Sequence, residues 1–109
     1  TAGNFPLWLN PEQVIILPIS EKYMDYSKKL SDILNNYDIR SQIDERSEKT
    51  GRKIRDAEIN KIPFMLIVGE KEEADGSVSV RRHGVGDLGS FKIEDFVNLI
   101  NKEVKEAMQ

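Results

Sequence analysis

The sequence contains no cysteine and only one histidine, His83. Disulfide bonds and thiolate chemistry are therefore excluded, and a zinc site of the usual Cys and His ligands cannot be assembled from this chain. A Ser-His-Asp triad would have to use His83, which stands beside Gly84 without a nucleophile-elbow motif. The sequence therefore offers neither a catalytic residue nor a metal-ligand set.

Long hydrophobic runs are also missing. The longest apolar runs extend over about six residues, far fewer than the roughly 20 that a membrane-spanning helix requires, and the chain does not open on a signal-peptide pattern. A large excess of positive charge is absent too, since the net charge is −3. A protein that coats nucleic acid non-specifically is usually basic, so we expect any nucleic-acid contact to be local and selective.

What is present is the composition of one globular domain, with 109 residues, 32% charged and 39% hydrophobic. Residues 13–19 and 64–68 are continuous apolar runs and predict strands buried on both faces, as in a parallel sheet. Between them, Ser20 is a candidate N-cap for an amphipathic helix. The apolar stripe of this helix consists of Tyr23, Tyr26, Leu30, Ile33, Leu34 and Tyr37.

The middle of the chain predicts a short strand over residues 39–43 and then a charged passage, residues 44–56. A second helix is predicted to begin between Ser47 and Thr50 and to end before Pro63, with Ile54 and Ala57 facing inward. Gly51 stands in its first turn, where glycine is unfavourable and indicates the close approach of something to the backbone.

The last third predicts a hairpin and a helix. Residues 69–76 are predicted as an acidic turn, and residues 77–82 as a strand with Val78 and Val80 facing the core. Residues 84–89 match G-x-G-x-x-G, but a βαβ unit does not follow. Residues 84–90 are therefore predicted as a glycine loop rather than a dinucleotide site. The final helix buries Ile93, Phe96, Val97, Ile100 and Val104.

The predicted order β-α-β-α-β-β-α defines an α/β fold with three layers, α/β/α. Two right-handed crossovers give a parallel core of three strands, the hairpin adds an antiparallel edge, and helices cover both faces of the sheet.

The charged passage admits two interpretations. It contains nine charged residues among thirteen, which is typical of a solvated helix face with pairs such as Glu48 and Arg52. It also follows a strand, and the carboxyl ends of strands are where α/β sheets bind ligands. The start of the second helix would then offer Lys49, Arg52, Lys53 and backbone N–H groups to phosphate.

Two residues outside this passage have the chemistry to read bases. The carboxylate of Glu72, at the mouth of the hairpin, can accept hydrogen bonds from N1–H and N2–H of guanine. The guanidinium of Arg81, on the outward face of the predicted edge strand, can donate to the carbonyl oxygens of guanine or uracil. Single-stranded RNA loops are read through these base edges.

Six segments, in order along almost the whole chain, resemble the C-terminal anticodon-binding domain of bacterial threonyl-tRNA synthetase, a class II aminoacyl-tRNA synthetase. They are residues 5–14 (FPLWLNPEQV), 44–49 (DERSEK), 51–55 (GRKIR), 62–72 (IPFMLIVGEKE), 78–81 (VSVR) and 87–90 (DLGS). The first and last of these segments distinguish the threonyl enzyme from the prolyl, histidyl and glycyl enzymes, which carry related domains.

The resemblance implies a mixed sheet of about five strands with three helices. It implies that residues 13–109 are an anticodon-binding domain and that residues 1–12 are a linker from a catalytic domain. Phe5 and Trp8 then pack either on this domain or on that neighbour. It further implies a cytoplasmic, homodimeric parent enzyme that joins threonine to its tRNA with ATP and Mg and holds Zn, whereas this part itself needs no cofactor, no metal and no membrane.

By the same resemblance, Ser47, Glu72 and Arg81 read the G and U that end a threonine anticodon. The resemblance also gives Lys49, Arg55 and Lys61 the role of supporting the readers or contacting the RNA backbone, the role that the charged passage itself predicts for Arg52 and Lys53. Relatives often carry Asn where this chain has Ser47, and a hydroxyl offers fewer hydrogen bonds than an amide; Ser47 could instead cap the second helix. The alternative function is a non-catalytic α/β domain that docks a protein partner through the charged passage.

Overall fold

The two apolar runs predicted as buried strands lie side by side at the centre of a mixed sheet. A computed structural model describes the backbone of residues 13–107 and the side chains of residues 13–103. Its strands are β1 (Val14–Pro18), β2 (Ser41–Ile43), β3 (Phe64–Val68), β4 (Ser77–Arg82) and β5 (Gly86–Lys92). Its helices are α1 (Met24–Asn36), α2 (Thr50–Ile59), α3 (Glu70–Asp75) and α4 (Ile93–Ala107), and a 3-10 turn (Glu21–Tyr23) leads into α1.

The sheet has the strand order β2-β1-β3-β4-β5. Strand β1 pairs in parallel with β2 and with β3, where Val14 lies opposite Phe64 and Pro18 opposite Val68. Strand β4 is antiparallel to β3, and β5 is antiparallel to β4. The prediction of a parallel core with an antiparallel edge is confirmed, and the carboxyl ends of β1, β2 and β3 meet at one edge of the sheet.

The sheet separates two hydrophobic cores. Helices α1 and α4 cover one face, and the larger core there includes Val14, Ile16, Leu30, Leu34, Phe64, Leu66, Val78, Val80, Phe96 and Ile100. Helix α2 covers β1 and β3 on the other face, over a smaller core of Ile15, Leu17, Ala57, Ile62 and Met65. The three-layer prediction is therefore confirmed. Tyr37 departs from the predicted stripe, because half of its surface is exposed.

Two predictions for the segments after β3 and β4 are wrong. Residues 69–76 were expected to be a hairpin turn, but they contain α3, whose first turn carries Glu70, Glu72 and Glu73. Carboxylates stabilise the positive end of a helix dipole, and Gly76, with φ of 68°, ends the helix in the left-handed conformation. The acidic composition that indicated a turn therefore stabilises a short helix.

The expected glycine loop is mostly strand β5, which takes the edge position that was predicted for β4 and its Arg81. Gly86 and Gly89 have φ values of 112° and 96°, and the β4–β5 register shifts between Val80 and Arg81. Glycine is the residue that a β-bulge tolerates best, so the glycines here permit an irregular strand instead of preventing one. Phe5 and Trp8 lie outside the described residues, as does the side chain of Val104.

Candidate nucleic-acid interface

The loop after β2, residues 44–49, is clamped by one arginine. Arg46 donates from Nε to Asp44 Oδ1 at 3.0 Å and from Nη2 to Asp44 Oδ2 at 2.8 Å. Its Nη1 donates to Asp56 Oδ2, on α2, at 2.8 Å. The side-chain hydrogen bonds from Arg46 hold the pKa of the buried Asp44 carboxyl below its ordinary value. The two carboxylates in turn raise the pKa of Arg46, so this cluster stays ionised at neutral pH.

Lys53 lies beneath the same loop. Only 4% of its surface is exposed, and its Nζ donates to the carbonyl oxygens of Pro18 at 3.0 Å and Asp44 at 3.3 Å. These bonds join the carboxyl ends of β1 and β2. The prediction that Lys53 offers its ammonium group to phosphate is corrected here, because the group is buried and bonded within the domain. Its position agrees with the supporting role.

Ser47 and Lys49 stand on the outside of this loop. Both are exposed, and they border a groove between the loop and the start of α1, with Ser20 and Lys53 in its wall. Ser47 does not cap α2, because Lys49 occupies the N-cap position. The Lys49 side chain forms no capping hydrogen bond. A Cβ at Gly51 would meet nothing within 4 Å. The predicted close approach to Gly51 therefore does not come from the described part of this domain.

The other predicted cations follow α2 along its exposed side. Arg52 is 3.8 Å from Glu48, so the expected i,i+4 ion pair is confirmed. Arg55 is exposed and borders a shallow groove with Gly51 and Arg52. Lys61 is exposed beyond the end of α2 and adopts φ of 57°. Because α2 starts at the carboxyl edge of the sheet and returns toward the amino edge, Lys61 lies at the end of the helix farthest from Ser47.

Glu72 lies at the carboxyl edge, in the first turn of α3. Its Oε1 accepts a hydrogen bond from the Gly69 N–H at 2.8 Å. The Tyr26 hydroxyl nearby donates to the Ser77 carbonyl at 2.7 Å. Burial raises the pKa of Tyr26, and Glu72 and its acidic neighbours on α3 add to the effect. The Tyr26 hydroxyl therefore stays protonated and can fasten α1 to the start of β4 beside Glu72.

Arg81 lies on the same sheet face as α2, at the part of β4 that the helix does not cover. It is opposite Met65 on β3 and Asp87 on β5. The half-buried guanidinium has a buried Nε without a hydrogen-bond partner among the described residues. Asp87, its cross-strand neighbour, accepts instead from the Gly89 N–H at 2.8 Å. A buried donor that lacks a partner costs about 1–3 kcal/mol of stability.

The structure brings some of the predicted residues together. Ser47, Lys49 and Glu72 share the carboxyl edge of the sheet. Arg81 lies opposite Met65, which is three residues before the end of β3 at Val68, so Arg81 is about 10 Å from that edge. Arg46 and its two carboxylates were missing from the predicted set. The signal available for them was an Asp that directly follows a strand, with an Arg two positions later.

Other kinds of site find little support. Among residues 13–103, whose side chains are described, there is no group of three or more His, Asp or Glu side chains that could hold a metal ion. In the same part of the chain, no helix is both long and apolar enough to cross a membrane.

A polar sheet edge beside a basic helix defines a binding module, and comparison with known proteins gives its family. A sequence model described as anticodon binding domain matches residues 13–103. The chain belongs to this family of anticodon-binding domains.

The individual proteins that are similar to this chain are threonine–tRNA ligases. The chain is 56% identical, over an alignment of 111 residues, to the threonine–tRNA ligase of Flavobacterium johnsoniae, and 58% identical over 108 residues to that of Bacteroides fragilis. These alignments cover 100% and 99% of the chain but 17% of each relative.

A solved structure is similar as well. The RNA-binding domain of threonyl-tRNA synthetase from Cryptosporidium parvum Iowa II superimposes with a TM-score of 0.86 at 26% identity. The match covers 93% of this chain and 26% of that one. The resemblance to the anticodon-binding domain of threonyl-tRNA synthetase is thereby confirmed. The relatives are enzymes, and this chain corresponds to their anticodon-binding portion.

Proposed function

We propose that this domain binds the anticodon loop of threonine tRNA and reads its G and U through Arg81 and Glu72, with a smaller contribution from Ser47. Arg81 donates to base carbonyl oxygens. Glu72 keeps one carboxylate oxygen on the Gly69 N–H and offers the other to guanine. Ser47, with a single hydroxyl, adds one hydrogen bond, made directly or through a water molecule.

The observation that carries this proposal is the unpaired guanidinium of Arg81. Most buried donors in proteins have a partner, so an exception calls for an explanation. A ligand with carbonyl oxygens, lying on the open face of β4, would offer acceptors to the accessible side of this half-buried guanidinium. An unstacked base in a single-stranded loop has such oxygens on its Watson–Crick edge.

The exposed cations along α2 would hold the RNA backbone. Lys49, Arg52, Arg55 and Lys61 are exposed, whereas Lys53 supports the loop from beneath. With a net charge of −3, the domain as a whole does not attract phosphate strongly. Binding should therefore be weak overall, selective for the loop sequence and sensitive to salt.

In the parent protein, this recognition would select the tRNA substrate. The rest of the enzyme would then attach threonine to that tRNA, using ATP. We place ATP, Mg and Zn in the rest of that enzyme, which we expect to be a cytoplasmic homodimer, and we assign residues 1–12 as the linker to its catalytic domain. The support for this is that the similar ligases are about six times longer than the matched part, which is 17% of their length.

The test uses the parent enzyme with Arg81→Ala and with Glu72→Gln. Both variants should aminoacylate threonine tRNA with a lower kcat/KM, because the readers contact the RNA. Arg40→Ala removes an exposed arginine beside β2 and should leave kcat/KM unchanged. If both reader variants aminoacylate like the wild type, the assignment is wrong, and a protein-docking role for this surface takes its place.

A further inference from the structure

We infer that Arg46 is a positioning residue for anticodon recognition, whose clamp on Asp44 and Asp56 fixes the orientation of Ser47. This inference rests on the proposed function. It assigns a role to a residue that the contact set Arg81, Glu72 and Ser47 leaves out.

The clamp formed by Arg46 reaches from the residue after β2 to the middle of α2. Arg46 holds Asp44 at the end of β2 with two bonds and Asp56 in the middle of α2 with a third. The backbone N–H of Arg46 also donates to Asp44 Oδ1 at 3.1 Å. Arg46 thus bonds both to Asp44, the residue directly after β2, and to Asp56 on α2.

Most of the 44–49 loop has little packing of its own. Residues 45–49 are exposed, while Asp44 is buried. Below the loop, Lys53 fixes the Asp44 carbonyl, and the Asp44 N–H donates to the Ile16 carbonyl at 2.9 Å. The sheet therefore holds the start of the loop and α2 holds its end. Arg46 ties the two together across the turn, and Glu48 adds a longer ion pair to Arg52.

The side chain of Ser47, the residue that follows Arg46, is short. Its hydroxyl stands on a single Cβ. A long side chain can compensate for a displaced backbone by changing rotamer, but a serine cannot. Recognition groups must be held within about 0.5 Å of their working geometry, so a serine reader depends on its backbone being braced.

The charge balance argues against Arg46 as an independent phosphate contact. Its guanidinium is paired with two carboxylates at 2.8 Å each, so its charge is compensated within the domain. Arg46 should therefore influence which base is accepted and contribute little to the salt dependence of binding.

The test is a double-mutant cycle on Arg46 and Ser47, with binding of a threonine anticodon stem-loop as the readout. Arg46→Lys keeps the charge but cannot hold both oxygens of Asp44 and also reach Asp56. It should weaken binding roughly 5- to 10-fold, within the range of coupled neighbours. The slope of log affinity against log salt should not change. In the Ser47→Ala background, the same substitution should have no further effect.

Asp56→Asn gives a second, milder variant. It leaves the two bonds to Asp44 in place and weakens only the tie to α2. Thermal melts identify any variant that fails to fold. If Arg46→Lys does not fold, Asp56→Asn replaces it in the cycle. It should weaken binding less than Arg46→Lys, and it should have no further effect in the Ser47→Ala background. Glu45→Gln, which changes an exposed carboxylate of the same loop, is the matched control and should bind like the wild type.

Three outcomes overturn the inference: Arg46→Lys binds like the wild type, it weakens binding equally with and without Ser47, or Ser47→Ala alone has no effect. An Arg81→Ala arm separates this failure from that of the proposed function. If Arg81→Ala loses binding while the Arg46 cycle shows no coupling, only the positioning role is wrong. If Arg81→Ala also binds like the wild type, the proposed function is wrong as well.

Discussion

Arg81 lies directly across the β3–β4 ladder from Met65, so a charged guanidinium stands on the same sheet face as a fully buried core side chain. Helix α2 covers Met65 but leaves Arg81 at its margin, half-buried. The Nε of Arg81 is buried without a partner among the described residues. This arrangement is poor for stability and well suited to a ligand that brings its own acceptor.

The first prediction concerns this conflict between stability and binding. Arg81→Met removes the unpaired donor but keeps an unbranched side chain beside Met65. We expect the free energy of unfolding to stay the same or to rise by up to about 1 kcal/mol. Binding of the stem-loop should weaken by about 1–3 kcal/mol, the scale of a lost base contact. Urea denaturation and fluorescence titration measure the two quantities, and a loss of stability without a loss of binding would contradict the account.

The second prediction concerns the charge of Glu72. Glu72→Gln keeps an oxygen that can accept from the Gly69 N–H, so α3 should remain folded. With that oxygen on Gly69, the amide presents its NH2 group to guanine, and an NH2 group cannot accept from the N1–H and N2–H donors. Wild-type affinity should fall when the anticodon G is replaced by inosine, which lacks the 2-amino group.

The Glu72→Gln variant should be less sensitive to that replacement. Glu73→Gln, an exposed neighbour on α3, is the matched control and should discriminate like the wild type. Equal sensitivity to inosine in Glu72→Gln and Glu73→Gln would exclude Glu72 as the guanine reader.

The third prediction separates two lysines four residues apart. Lys53→Met leaves the Pro18 and Asp44 carbonyl oxygens without their donor, so unfolding should become easier by about 1–3 kcal/mol. Lys49→Met changes an exposed side chain and should leave stability within about 0.5 kcal/mol.

RNA binding should show the opposite pattern. Lys49→Met should reduce the slope of log affinity against log salt by about 0.7, the value for one phosphate of a single strand. Lys53→Met should leave that slope unchanged. A reduced slope in Lys53→Met would mean that its ammonium group reaches the RNA after all.

The fourth prediction concerns pH. Hydrogen bonds from Arg46 hold the pKa of Asp44 below its ordinary value, so the native state binds fewer protons here than the unfolded state. The resulting stabilisation is present above the unfolded pKa of about 3.9 and is lost as the pH falls through the lower native value.

Denaturation of the wild type and of Asp44→Asn at several pH values measures this effect. The difference in unfolding free energy should be large at about pH 6 and should shrink progressively below about pH 4. A difference that stays constant down to about pH 2 would show that Asp44 does not titrate as the clamp requires.

The parts of the fold that sequence could predict are those that local burial determines. Strands β1 and β3 are continuous apolar runs, and such runs are typical of parallel strands buried on both faces. The wrongly predicted parts contain residues that suit two different local structures equally well. Acidic residues favour both a turn and the first turn of a helix, and α3 is the second case. Gly86 and Gly89 suit both a loop and a bulged strand, and β5 is the second case.

The candidate site divides in the same way. Base-reading chemistry could be predicted at Glu72 and Arg81 because residue type determines it. The clamp could not, since Arg46 and Asp56 are ten positions apart and meet only once α2 packs against the sheet. Lys53 was predicted as a possible phosphate contact because it lies in a charged run. Its spacing of four from the buried Ala57, which puts both on one helix face, was the available signal of its burial.

The most direct test of anticodon recognition is a titration of this 109-residue domain at low salt with two stem-loops. One carries the threonine anticodon, and the other differs only in the replacement of its G by A. The account predicts that the replaced loop binds more weakly by about 1–3 kcal/mol, roughly 5- to 150-fold. Equal affinity for the two loops would contradict it.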